Sequence, residues 1–190
     1  MYIKLTTIIF LAALQSVALY AQRNDMEFNS STDYLQYVNK NFKIPSTEIF
    51  YISTESDLLN GTLEKYGILL FITDNNISTI QEVAEILKSK CSPKHLLPRV
   101  TSDAILKASS PSKVFEKIII KNLENGQPLS REGNKFAIYV FSYKFGKNAI
   151  LYFNDHEDLE KMGYKTVVLS IDGAYIKGLS DIDKTPVIVK

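Results

Sequence analysis

The stretch that decides the fold is Lys135–Ala149, KFAIYVFSYKFGKNA. Its first eight residues, Lys135–Ser142, are almost continuously apolar and rich in aromatic and β-branched side chains, which predicts a strand buried on both faces. The polar group Phe-Gly-Lys-Asn then interrupts the run at residues 145–148. About fifteen residues that could form a helix follow this loop.

A helix is the favoured prediction for the residues after this loop. Leu151, Leu159 and Met162 can line one helical face, and the charged run NDHEDLEK suits a solvated helix. Gly163 would cap the helix, and Tyr164–Asp172 would be the next buried strand. The alternative is a hairpin, in which FAIYVFSY and NAILYF pair as antiparallel strands around Gly146. Residues 148–153 are therefore either helix or strand.

The remaining chain alternates between the two element types. Pro45 ends the first predicted helix, and a capping pattern at Ser78–Glu82 begins the second. Strands are predicted at 47–53, 66–73 and from Thr185–Pro186 onward, and helices at 32–42, 78–90 and 111–123. This order predicts one α/β domain over residues 34–190, with a surface loop and sub-boundary at 124–134.

The order of strand, helix and strand, followed by x-Pro opening a strand, resembles the thioredoxin-like fold, and in particular the secreted thioredoxin-like proteins of Gram-negative bacteria. The resemblance covers residues 135–190. It implies a mixed sheet flanked by helices, in which Phe145, Gly146, Lys147 and Asn148 occupy the Cys-Gly-Pro-Cys positions. Thr185-Pro186 would then stand where the family keeps its cis-proline. The chain stops at Lys190, so the strand and helix that the family places after this point would come from earlier elements or be missing.

Dithiol chemistry is excluded at this loop. Thiol–disulfide exchange needs a thiolate and a second thiol that resolves the mixed disulfide. Phe145 and Asn148 can be neither. The resemblance therefore implies a non-catalytic module, with a groove for a peptide or protein partner formed by Phe145, Gly146, Asn148, Thr185 and Pro186.

Cys91 is the chain's one cysteine, so no internal disulfide can form. An inert thiol is one interpretation. Nearby cations favour a reactive thiol that could form mixed disulfides, and these are Lys88, Lys90, Lys94 and His95. Cys91 and His95 are too few ligands for a zinc site, and the NDHED run at 154–158 indicates a solvated face rather than a cation site. We expect no metal and no cofactor.

Residues Met1–Ala21 have the pattern of a cleaved signal peptide. Lys4 precedes the apolar stretch TTIIFLAALQSVALY, which is short for a transmembrane helix. Cleavage after Ala21 is favoured, with Ala18 as the alternative. The polar residues 22–33 would then form a flexible tail. We expect an exported protein, periplasmic or secreted, without stable membrane insertion after cleavage.

Charge gives no indication of a nucleic-acid partner. The chain has 22 Lys and Arg against 21 Asp and Glu, and removal of Lys4 with the signal peptide leaves 21 of each. A protein near neutrality has no long-range attraction for a polyanion. The sequence thus predicts an exported thioredoxin-like module that binds a peptide or protein. The alternatives are a monothiol protein that uses Cys91 and a secreted enzyme of unrecognised class.

Overall fold

The computed structural model describes residues 26–52, 69–73, 76–89, 96–111, 118–130, 133, 135–144 and 156–179. The strands in these residues are β1 Ile49–Ile52, β2 Leu69–Thr73, β3 Asn76–Thr79, β4 Ser110–Pro111, β5 Ile120–Asn122, β6 Lys135–Phe141 and β7 Tyr164–Ser170. These seven described strands form one mixed sheet in the order β4-β3-β2-β6-β7-β1-β5. The predicted mixed sheet flanked by helices is confirmed.

Strands β6 and β7 form the centre of the sheet. They run parallel, with Tyr139 opposite Val168. Strand β1 pairs parallel with β7 on one side, and β2 pairs antiparallel with β6 on the other. The three parallel strands β1, β7 and β6 therefore end at the same edge of the sheet. Because β6 and β7 each have a described strand on both sides, neither has room for a further strand beside it.

Four helices are described: α1 Ser31–Phe42, α2 Ile80–Ile86, α3 Ser102–Ala108 and α4 His156–Lys161. Helix α1 begins at Ser30, whose hydroxyl accepts a hydrogen bond from the Asp33 N–H at 3.1 Å. Thr79 and Glu82 form a reciprocal capping box at the start of α2. No helix in the described part of the chain is long and apolar enough to cross a bilayer.

All four helices pack on the same face of the sheet. Each contributes buried residues to one core cluster, with Tyr34, Val83, Ile105 and Leu159 as examples. A second cluster covers the opposite face and consists of Phe50, Leu70, Ile77, Ile118, Ile120, Phe136, Ile138, Val167 and Leu169. Neighbouring residues of β6 alternate between the two clusters, as the two-residue period of a strand requires. This explains why the KFAIYVF run is apolar at nearly every position.

Both outer edges of the sheet are short. Strand β4 has two residues, and one of them is Pro111, which has no N–H to donate. At the other edge, the outer side of β5 pairs with its own return loop through the Lys121–Pro128 bridge. A partner that adds a long strand to either edge therefore has few backbone groups to pair with.

The structure corrects several sequence predictions. The helix expected over residues 111–123 is wrong at both described ends, because Pro111 lies in β4 and Ile120–Asn122 form β5. Helix α3 was not predicted. The nearly continuous apolar run at 66–73 is typical of a strand in a parallel sheet, but β2 is antiparallel to both neighbours. Strand β3 was also missed, since its residues Asn-Ile-Ser-Thr are mostly polar and are shared with the cap of α2.

Candidate functional site

The residues predicted to form the groove lie outside the described part of the chain. This holds for Phe145, Gly146, Asn148, Thr185 and Pro186, as well as for the candidate reactive thiol of Cys91. The choice between helix and hairpin at residues 148–153 also falls outside it. The structure does describe the chain up to Lys144, the residue directly before the predicted loop. The candidate site is therefore the described edge from which that loop departs.

This edge is built where β6 and β7 end. Strand β6 is followed by Ser142, Tyr143 and Lys144, and β7 ends at Ser170, two residues before Asp172. The N–H of Ile171 donates to the carbonyl of Phe141 at 3.0 Å, which holds the two strand ends together. In open α/β sheets, ligands bind at the carboxyl ends of parallel strands. The edge is thus the expected position for a binding site.

Asp172 lies at the centre of this edge and is only 1% exposed. Its Oδ2 accepts hydrogen bonds from the Tyr34 hydroxyl and the Tyr143 N–H, both at 2.8 Å. Its Oδ1 accepts one from the Ser142 hydroxyl at 2.5 Å. The Tyr34 hydroxyl also lies 2.7 Å from Ser170 Oγ. One carboxyl group therefore ties helix α1 to the ends of both central strands.

Burial is the largest influence on the pKa values of Asp172 and Tyr34. Loss of water raises the pKa of Asp172, while its hydrogen bonds with Ser142, Tyr143 and Tyr34 lower it. The pKa of Tyr34 is raised well above its ordinary value, chiefly by burial and then by the charge of Asp172. Tyr34 therefore remains a hydrogen-bond donor to the carboxylate. A carboxyl group that is 1% exposed and held by three internal donors acts as a structural connection in this arrangement.

Aromatic side chains surround the solvent side of the cluster. The Phe28 ring lies 5.0 Å from Tyr34, 5.3 Å from Tyr37 and 5.5 Å from Tyr143, measured between ring centroids. Tyr143 in turn lies 5.9 Å from Tyr175 in an edge-to-face arrangement. These separations fall in the favourable range for aromatic pairs. The edge thus holds a packed aromatic cluster, in which Phe28, Tyr34 and Tyr143 are buried and the half-buried Tyr37 and Tyr175 form the aromatic surface.

Lys144 places a positive charge on this surface. Its Nζ lies 4.0 Å from the centroid of the Tyr175 ring and 2.6 Å from the Tyr175 hydroxyl. Attraction between the ammonium and the ring holds the side chain at the edge, directly before the predicted loop. The surface can therefore offer an apolar contact and a cation to the same ligand.

A second group of titratable residues lies near the start of β1, away from this edge. The pKa of Glu48 is raised by burial, lowered by the charge of His156 and raised by that of Glu160. Glu160 accepts a hydrogen bond from the Thr166 hydroxyl at 2.9 Å. Among the described residues, no group of three His, Cys, Asp or Glu side chains is placed to hold a metal ion.

Sequence reasoning missed the residues that build this edge. Asp172 was expected at the end of a strand, but nothing in the pattern indicated its burial. The polar tail predicted for residues 22–33 is described from Met26, and Phe28 is buried in the aromatic cluster. One signal was available: Phe28 is the single aromatic residue in an otherwise polar stretch.

Comparison of the chain with protein-family models, curated proteins and solved structures finds no match. Function must therefore be argued from the chemistry of the edge. The described groups there can bind and orient a ligand, since they supply aromatic faces, the Lys144 ammonium and backbone groups. The one serine that donates to a carboxylate there, Ser142 to Asp172, is buried together with its partner among the described residues.

Proposed function

We propose that this protein is an exported, non-catalytic module of thioredoxin-like type that binds a peptide or protein partner at the carboxyl edge of β6 and β7. The observation that carries the proposal is the fixed position of Tyr143 and Lys144. Asp172 holds the Tyr143 backbone, and Tyr175 holds the Lys144 ammonium. The loop predicted to begin at Phe145 would therefore follow two residues that are held by hydrogen bonds.

The order of elements supports the thioredoxin-like part of the proposal. Strands β6 and β7 are parallel, with α4 between them in sequence. The thioredoxin-like family places strand, strand and helix after this unit, whereas here β2, β3 and α2 supply that order earlier in the chain. Of the two alternatives that the sequence left open, this order corresponds to the one in which earlier strands, here β2 and β3, complete the sheet beside β6. We therefore infer a permuted thioredoxin-like order.

The residue types of the loop support binding over exchange chemistry. In the resemblance, Phe145 and Asn148 stand at the positions where the family has its two cysteines. Neither side chain can form a mixed disulfide, but both suit recognition, since a ring supplies apolar area and an amide supplies hydrogen bonds. Because β6 has neighbours on both sides, the proposal relies on the Phe145–Asn148 loop and the described edge rather than on Thr185 and Pro186.

A peptide library presented to the mature protein tests the proposed binding. We expect selected peptides to lose at least tenfold in affinity for Phe145→Ala, because the ring would contact the ligand. Leu106→Ala is the matched control, since Leu106 is an exposed apolar residue on α3. Equal affinity of both variants for the selected peptides would contradict a binding site at this edge.

A cysteine pair tests the proposed loop geometry. Phe145→Cys with Asn148→Cys, in a Cys91→Ser background, is expected to form a reversible disulfide, since residues three apart in the first turn of a helix lie close enough to bridge. The unmodified protein should show no disulfide reductase activity. Thiols that stay free in the oxidised double variant would argue against a thioredoxin-like loop.

Intact-mass measurement of native protein tests export and the thiol together. We expect residues 1–21 to be absent and Cys91 to be a free thiol. Retention of Met1 would contradict export by signal cleavage. A stoichiometric adduct or disulfide-linked dimer would instead support the alternative that Cys91 is the working group.

A further inference from the structure

The segment Met26–Phe28 lies on the candidate site in extended form. The Phe28 N–H donates to the carbonyl of Tyr175 at 2.8 Å, and the Lys177 N–H donates to the carbonyl of Phe28 at 2.9 Å. Phe28 and Ile176 thus form a parallel bridge. Both hydrogen bonds use backbone groups of the segment, so their formation does not depend on its sequence.

Side-chain contacts give the segment its specificity. Phe28 is 5% exposed and packs against the rings of Tyr37 and Tyr143. The Tyr143 hydroxyl accepts a hydrogen bond from the Met26 N–H at 3.1 Å. Between Met26 and Phe28 in the sequence stands Glu27, whose carboxylate lies 3.4 Å from the Lys177 ammonium, and both side chains are largely exposed. The site therefore accepts an acidic residue followed by a buried aromatic ring.

Helix α1 contacts this segment through Tyr34 and Tyr37, and it also has contacts of its own with the core. Its Leu35, Val38 and Phe42 are buried in the core, and its N-terminus is capped by Ser30. The segment is attached to the core through Phe28, its one buried residue. Local release of Met26–Phe28 would therefore leave the rest of the edge in place, as local opening of terminal segments generally does.

We propose that the surface formed by Tyr37, Tyr143 and residues 175–177 is a recognition site for an extended peptide with an acidic residue directly before phenylalanine. In this structure the chain's own Met26–Phe28 occupies it as an internal ligand. The inference rests on the proposed function, since it names the peptide chemistry and the part of the edge that reads it.

Competition between the two occupants sets the expected affinities. A tethered segment acts at an effective concentration in the millimolar range, so it masks the site from a peptide in solution. Replacing Phe28 by alanine removes the buried ring that the tethered segment relies on. A free peptide that keeps its phenylalanine should then bind at least tenfold more tightly to Phe28→Ala than to the unmodified protein.

The probe is a fluorescein-labelled peptide with the sequence of residues 24–30, Asn-Asp-Met-Glu-Phe-Asn-Ser, and binding is measured by fluorescence anisotropy. A matched peptide with Ala in place of Phe is the control ligand. We expect tight binding of the first peptide to Phe28→Ala, at least tenfold weaker binding of the control peptide, and loss of binding when Tyr37→Ala is added. Leu106→Ala should bind the probe as weakly as the unmodified protein.

Circular dichroism establishes that each variant is folded. If Phe28→Ala does not fold, Phe28→Leu serves instead, because it keeps apolar volume but loses the edge-to-face contacts; affinity should then rise severalfold over the unmodified protein. The inference is overturned if the folded variant does not bind the probe peptide, or if it binds the probe and the control peptide with equal affinity. If library peptides still depend on Phe145 in that case, the proposed function stands and only this inference fails.

Discussion

Asp172 offers a direct test of how the edge is held together. Asp172→Ala would leave three donors without their acceptor: the hydroxyls of Tyr34 and Ser142 and the N–H of Tyr143. An unsatisfied buried donor costs roughly 1–3 kcal/mol, and relief from burying a carboxyl offsets part of the sum, so we expect a loss of about 2–4 kcal/mol in the free energy of unfolding. For a domain of this size, that lowers the melting temperature by about 5–15 °C.

Asp172→Asn separates hydrogen bonding from charge. Its amide oxygen can still accept from Tyr34 and Tyr143, while its NH₂ group can donate to the Ser142 oxygen. We expect this variant to stay within about 1 kcal/mol of the unmodified protein at pH 7, because the change retains the contacts and removes a buried charge.

The two proteins should also differ in their response to pH. Because burial raises the pKa of Asp172, the folded state takes up this proton at higher pH than the unfolded state does. The unmodified protein should therefore gain stability relative to Asp172→Asn as the pH falls through the raised pKa, and lose that gain as the pH rises again. Below the ordinary carboxyl pKa the difference should level off.

Urea denaturation followed by far-UV circular dichroism between pH 4 and 8 measures these differences. Asp103→Asn is the matched control, since Asp103 is exposed and pairs with Lys107 on the same helix; its effect should stay within about 0.5 kcal/mol. Asparagine and alanine variants of equal stability at position 172 would refute the hydrogen-bond reasoning. A stability difference between the unmodified protein and Asp172→Asn that does not change with pH would refute the charge reasoning.

Two further substitutions, each with a control, test the hydrogen bonds of Tyr34 and the backbone conformation of Gly163. Tyr34→Phe removes a hydroxyl that contacts both Asp172 and Ser170, so we expect the free energy of unfolding to fall by about 1–2 kcal/mol. The control Tyr37→Phe should change the melting temperature little. Equal effects of the two substitutions would contradict the assigned hydrogen-bond network. Gly163→Ala forces a side chain into a backbone with φ of 82°, and should cost about 1 kcal/mol in thermal unfolding. Gly173→Ala, where a Cβ would meet Leu179 at an ordinary 3.6 Å, should be close to neutral, and a larger loss there than at Gly163 would contradict the backbone argument.

The sequence predicted the strongest elements of the fold because their patterns are long. Strands β6 and β7 follow from runs rich in apolar, aromatic and β-branched residues, and α1 follows from apolar residues at helical spacing. Strand β3 has only four residues, and its pairing with β2 is a tertiary contact that no local pattern contains. The predicted helix at 111–123 failed because Ser110-Pro111 is typical of a helix start, while pairing with β3 instead makes it a strand.

The candidate site was less predictable than the fold. Its central contact joins Tyr34 to Asp172 across 138 residues of sequence, so no spacing rule could reveal it. Burial of Phe28 depends on Tyr37 and Tyr143, which come from different elements. Local sequence indicated where the edge would be, through the end of β6, but tertiary packing determines which side chains form it.

The most direct test of the central claim is a two-dimensional NMR titration of the mature protein with a library-selected peptide. Binding at the carboxyl edge of β6 and β7 predicts that amide shifts concentrate at Ser142–Lys144 and Gly173–Lys177, with little change in α3. Shifts confined to α2 and α3, or to the β4 edge of the sheet, would contradict the account.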